Sequence, residues 1–127
     1  VITFTLDWSS PQPVYRQIAD QLRGLIARGE LADGAELPSV RQLAATIGIN
    51  LNTVAKAYRT LADEGLVDLR HGSRARVQRA REPAAEAAHL ERQLDDVLSR
   101  MVLRGDTRED VETFLERALE RFYPKDR

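Results

Sequence analysis

The chain has 127 residues, 43% hydrophobic and 31% charged, which suits one small domain with an appendage. It contains no cysteine, which excludes disulfides and thiolate chemistry and is compatible with a reducing cytoplasm. No apolar run nears the ~20 residues that cross a membrane, and no signal peptide is visible.

A net charge of −1 argues against a nucleic-acid partner until its distribution is read. Residues 1–81 hold eleven Lys/Arg against eight Asp/Glu, and residues 82–127 hold eight against twelve. Leu69–Arg81 contains five arginines (Arg70, Arg74, Arg76, Arg79 and Arg81) and no acid. Such a cluster governs phosphate attraction more than the total does.

In residues 1–9, Ile2, Phe4 and Leu6 alternate with Thr3, Thr5 and Asp7, as in a short strand or extended segment. Trp8 reads as a packing anchor. Pro11 and Pro13 turn the chain into a helix expected from Val14 to Arg28. Val14, Ile18, Leu22, Leu25 and Ile26 form its stripe, with Tyr15 and Ala19 alongside. Gly29 ends it, and Glu30–Glu36 is a loop turning at Asp33-Gly34.

Pro38-Ser39 with Gln42 three residues on is a capping box for a second helix, whose Val40, Leu43, Ala44 and Ile47 share a face. Gly48 stops it, and Asn50 can cap a third. The third helix is expected to bury Val54, Ala55, Tyr58, Leu61 and Ala62 and to leave Asn52, Thr53, Lys56 and Arg59 outward. Two short helices around a glycine turn make a helix-turn-helix. Asn, Thr and Lys on a rigid helix suit base edges and phosphates in a major groove. The alternative is a small helical core with a merely wet polar face.

Leu66–Arg70 and Arg74–Gln78 read as two strands around His71-Gly72-Ser73, with Ala75 and Val77 on one face and arginines on the other. A lone two-stranded hairpin is marginal in water, so it must pack on the helices. Three helices and a basic hairpin make a winged helix.

Arg79–Ala85 reads as a linker or helix entry. A long helix follows from about Ala84 to Leu103, with Leu90, Leu94, Val97 and Met101 near heptad spacing, widened by Leu98 and Val102. After Gly105, Asp106 and Thr107 offer alternative capping boxes for a last helix lined by Val111, Phe114, Leu115, Ala118, Leu119 and Phe122. A two-helix hairpin hides both stripes poorly by itself. Pairing with a second copy is the favoured solution, and folding back on the winged helix is the other.

These residues bring a family into view. Pro13-Val14-Tyr15-Arg16-Gln17-Ile18, Gly29-Glu30-Leu31, Leu37–Ala44, Asn52–Tyr58 and Glu64-Gly65-Leu66-Val67, in this order and spacing, resemble the bacterial GntR transcription regulators, and the short tail resembles the YtrA-like subfamily. The resemblance implies a mainly α fold: an α+β winged helix-turn-helix at 1–80 and a C-terminal two-helix dimerisation hairpin at 81–127. By position it implies that Ser39 and Arg41 contact phosphate and a base edge. Asn50, Asn52, Thr53 and Lys56 would read or clamp the major groove, while Gly72, with His71 beside it, would approach the minor groove.

Two departures stand out. Leu51 replaces the arginine or proline common in the family, and the wing lacks the usual second glycine and aromatic. Phosphate contact by Arg74 and Arg76, beside Arg70, is the expected substitute. Leu90, Leu94, Val97, Leu98, Met101, Phe114, Leu115 and Phe122 are the expected dimer contacts.

The expected function is a cytoplasmic, nucleoid-associated transcription regulator, a repressor binding a palindromic double-stranded DNA operator as a homodimer. The subfamily resemblance adds control of a transporter operon. A small-molecule effector is compatible with this plan, and its site would lie between the domains or at the dimer seam. A protein-interaction adaptor with an idle recognition face is the competing reading. Catalysis, a cofactor and a metal have no support, because Ser39 has no evident base and His71 and His89 have no partner at triad or metal spacing.

Overall fold

The computed structural model describes residues 2–70, 74–78 and 87–125. The elements are α1 (Val14–Ala27), α2 (Val40–Ile47), α3 (Leu51–Asp63), β1 (Val67–Asp68), β2 (Arg76–Val77), α4 (Ala87–Arg104) and α5 (Arg108–Phe122). They fall into two compact units, Val1–Ala80 and Arg81–Arg127. The fold is mainly helical, a winged helix-turn-helix with a small hairpin wing and two C-terminal helices.

The first unit is built on the three N-terminal helices. Ile18, Ala19, Leu22 and Ile26 of α1 meet Val54, Ala57, Tyr58 and Leu61 of α3, and Leu37, Leu43 and Ala44 close the core. Each fully buried valine, leucine or isoleucine among them contributes roughly 1.5–3 kcal/mol. Ala57 is the fully covered alanine of α3, whereas Ala55 and Ala62 are only half-buried. The buried face runs 54, 57, 58, 61 at helical spacing, which leaves 55 and 62 at its rim.

The helix-turn-helix forms as its sequence signals dictate. The Ser39 hydroxyl accepts the Gln42 N–H at 3.1 Å, and the Gln42 side chain accepts the Ser39 N–H at 3.0 Å. Gly48 ends α2 with φ +70°, a left-handed conformation that costs glycine little, and Asn50 caps α3 through the Asn52 N–H at 2.7 Å.

The N-terminal segment is extended but belongs to no sheet. Gln21 accepts the Thr5 N–H (2.9 Å) and donates to the Thr5 carbonyl (2.6 Å). Gln17, 7% exposed, accepts the Asp7 N–H (2.8 Å) and donates to the carbonyls of Asp7 (2.9 Å) and Gln12 (3.0 Å). Two glutamines one helical turn apart thus substitute for a neighbouring strand and keep buried polar atoms paired. Ile2, Phe4 and Leu6 pack on the core edge.

Trp8 is not a packing anchor: it is 71% exposed. Asp7 accepts the Ser9 N–H and hydroxyl, and its carbonyl accepts the Ser10 N–H. This tight turn carries the indole away from the core.

Among the described residues the wing strands are shorter and better braced than their sequence suggests. Val67 pairs with Val77 and Asp68 with Arg76, and Gln78 N–H reaches the Leu66 carbonyl at 2.9 Å. The loop before α2 forms a third edge. Gly34 N–H donates to Val77 O, Val77 N–H to Ala35 O and Leu37 N–H to Ala75 O, each at 2.8 Å. Ala75 and Val77 are buried while Arg74 and Arg76 face solvent. The wing tip, His71-Gly72-Ser73, lies outside the described residues, as do the linker and residues 84–86 at the expected start of the long helix.

In the second unit, Gly105 (φ +96°) separates α4 from α5, and Thr107 rather than Asp106 is the cap, sharing a capping box with Asp110. No residue of either helix is buried.

Candidate nucleic-acid interface

The outward side of α3 is a row of polar side chains on a rigid support. Asn52, Lys56 and Arg59 are exposed and Thr53 is half-buried, directly across from the core residues Val54, Ala57, Tyr58 and Leu61. The Tyr58 hydroxyl donates to the Pro38 carbonyl at 2.6 Å, fastening α3 to the entry of α2. Burial pushes the Tyr58 pKa up to about 12, so it is a neutral donor at physiological pH. Ser39 and Arg41 follow this anchored carbonyl. Ser39 spends an acceptor site on its cap and keeps its O–H free to donate to a phosphate. Asn50 likewise caps with its carbonyl oxygen, leaving its amide N–H₂ as a donor. Arg41 is exposed.

Tyr15 extends the site from α1. The Lys56 ammonium lies 4.2 Å from its ring centroid, a cation–π contact, and Arg16 lies 5.9 Å away. Its hydroxyl is held below the ordinary tyrosine range, first by the hydrogen bond from Arg16 and then by the charges of Arg16 and Lys56. Tyr15, Pro13 and Val14 line a shallow depression together with Asn52, Thr53 and Lys56. The apolar pattern of α1 marked Tyr15 only as a flank of the stripe. Its position beside Arg16 in the first turn was the available signal, since tyrosine has an apolar body and a polar tip.

Behind this face, Arg23 donates to both Glu64 oxygens at 2.8 and 2.7 Å and to Asp20 at 2.6 Å, bracing α1 against the end of α3. These hydrogen bonds, Glu64 first, hold the guanidinium pKa above its ordinary value.

The wing arginines are less free than their sequence neighbourhood implies. Arg70 pairs with Asp68 at 3.1 Å, which raises its pKa. Arg76 meets Glu36 at 2.8 Å, and Arg74 lies 3.8 Å from the same carboxylate. Glu36 carries no local signal of this role, being 40 residues from Arg76 in the chain. His71 and Gly72 fall outside the described residues. Among the described residues, no cluster of His, Cys, Asp or Glu is placed to hold a metal ion, and no helix is long and apolar enough to cross a membrane.

Residues 14–77, the three N-terminal helices and the wing strands, match the family described as bacterial regulatory proteins, gntR family. The chain belongs to the GntR family. The HTH-type transcriptional regulator YhcF of Bacillus subtilis is 37% identical over 98 residues, covering 77% of this chain and 75% of that protein. The HTH-type transcriptional repressor YtrA of the same organism is 43% identical over 67 residues, covering 53% of this chain and about half (52%) of YtrA. In fold, the chain is similar to the crystal structure of a transcriptional antiterminator from Listeria monocytogenes EGD-e. The TM-score is 0.82 at 24% identity, with 95% of this chain and 93% of that one covered. The protein is therefore a GntR-family DNA-binding transcription regulator of the YtrA-like group, a family of regulators and not of enzymes.

Proposed function

We propose that this GntR regulator is a repressor that binds a palindromic operator as a homodimer. The observation that carries the reading is the two-sided character of α3: Asn52 and Lys56 stand in water over the buried row Val54, Ala57, Tyr58 and Leu61. A helix held this way presents its polar side chains to a major groove with little ordering cost. Asn50, Asn52, Thr53 and Lys56 read or clamp the groove. Ser39 and Arg41 contact a phosphate and a base edge. Arg70 and Arg74, with His71 and Gly72 of the wing, contact the adjoining backbone.

The tail carries the dimer. Leu90, Leu94, Val97, Phe114 and Leu115 are exposed, Leu98, Met101 and Phe122 are half-buried, and no residue of α4 or α5 is buried. A second copy covering these stripes gives a two-fold pair, and a two-fold pair reads an inverted repeat. Repression is supported by the name of YtrA. Control of a transporter operon rests on the subfamily likeness alone. The site of action is the cytoplasmic nucleoid.

The test is selection of bound DNA from a random pool at stated salt, with sedimentation of the free protein. Enrichment of an inverted repeat by a dimer supports the proposal. A single unrepeated half-site, a monomer, or no enrichment above non-specific binding overturns it.

A further inference from the structure

Glu36 sits on the solvent side of the wing although it belongs to the loop before α2. Its backbone forms an antiparallel bridge with Arg76, so the two side chains rise from adjacent strands on the same face. Its neighbour Leu37 is fully buried, as are Ala75 and Val77 on the opposite face of the wing. The carboxylate takes Arg76 Nη2 at 2.8 Å and stands 3.8 Å from Arg74 Nη1. Arg76 Nη1 also donates to the Gly34 carbonyl at 3.3 Å. The three side chains are 44%, 48% and 50% exposed for Glu36, Arg74 and Arg76, open to a competing anion.

We propose that Glu36 lowers the affinity of the protein for DNA of any sequence by occupying the wing arginines in the free protein and weakening their attraction for phosphate. The inference rests on the reading that the wing arginines meet the DNA backbone. A carboxylate shared between two guanidiniums removes about half of their combined charge. A phosphate arriving there must displace it or sit beside a like charge. Exposed ion pairs hold weakly, so Glu36 moderates the wing and does not shut it. The attraction it moderates is blind to sequence, because phosphates are the same at every step of the duplex. Contacts from α3 to base edges are untouched. Glu36 therefore lowers binding to arbitrary DNA and binding to an operator by about the same factor, and the ratio between them stays with α3.

The experiment compares the full chain with Glu36→Gln on two duplexes, one of scrambled sequence and one recovered from a random pool, across a salt series. Glu36→Gln is expected to bind the scrambled duplex roughly three- to tenfold more tightly, with a salt dependence steeper by about 1 per wing. The selected duplex gains by about the same factor, so the specificity ratio holds. Thermal melting verifies the fold, and Glu36→Thr, which suits a bridged position, repeats the measurement should the glutamine variant melt early.

Unchanged or weaker binding to scrambled DNA by a folded variant overturns the proposal. The double variant Arg74→Ala/Arg76→Ala separates the two levels of inference. If it weakens binding while Glu36→Gln changes nothing, Glu36 is only a structural brace. If it binds both duplexes as the unaltered chain does, the wing arginines do not meet DNA, and that reading falls together with the proposal.

Discussion

The Tyr58 hydroxyl donates to the Pro38 carbonyl across 2.6 Å, joining the middle of α3 to the residue just before the cap of α2. One buried tyrosine thus sets the spacing between the outward row of α3 and the Ser39–Arg41 turn. Tyr58→Phe keeps the ring packing and leaves the carbonyl without its donor, at a cost of about 1–3 kcal/mol in urea unfolding. The pH dependence has a definite sign. The folded pKa, about 12, lies above the unfolded one, so the contribution is complete below pH ~10 and is lost as pH rises toward 12. Tyr58→Phe should flatten that alkaline decline. An unchanged alkaline limb in the variant would show that Tyr58 is not its source.

Arg41 and Lys56 are both exposed, yet they should fail differently. Arg41→Ala is expected to relax sequence preference at one base position by about 1–3 kcal/mol. Lys56→Ala is expected to weaken binding to all sequences and to reduce the salt slope by about 0.9 for each subunit bound, as loss of one phosphate contact does. Competition binding against a panel of single-base operator variants separates the two patterns.

The two capping boxes predict a contrast in acid. That of α2 pairs Ser39 with Gln42, which does not titrate, and Ser39→Ala should cost about 1 kcal/mol at any moderate pH. That of α5 pairs Thr107 with Asp110, whose pKa is held below the carboxylate range first by the Thr107 backbone N–H and then by its hydroxyl. A lowered folded pKa stabilises at neutral pH, and the contribution is lost as pH falls through the folded value. Thr107→Ala should therefore remove part of the acid lability of the helical tail, read by amide exchange in α5 between neutral and acid pH.

Leu94 and Phe114, exposed on α4 and α5, lie on the faces proposed to pair. Leu94→Asp or Phe114→Asp should shift sedimentation from dimer to monomer while the winged helix stays folded. Affinity for an inverted repeat should fall far more than affinity for a half-site, because a linked second contact multiplies binding. A variant that remains dimeric would move the interface elsewhere.

What the chain wrote locally was legible locally. Helix limits followed from apolar spacing and caps: Ser39 with Gln42 and Gly48 bound α2, and Asn50 opens α3. The outward row of α3 was legible too, because periodicity assigns faces without reference to the rest of the fold. These features depend on residues within one or two turns of each other, where chain connectivity itself brings partners together.

Tertiary structure alone decided the remainder. Gln17 and Gln21 replace a strand, a role that no glutamine announces. Tyr15 supports Lys56 only once α1 packs against α3. Leu69–Arg81 holds no acid along the chain, yet Glu36 reaches Arg74 and Arg76 across a bridge that no local pattern records. Pairings between distant residues depend on where the packed core places each backbone, and that position is a property of the whole fold.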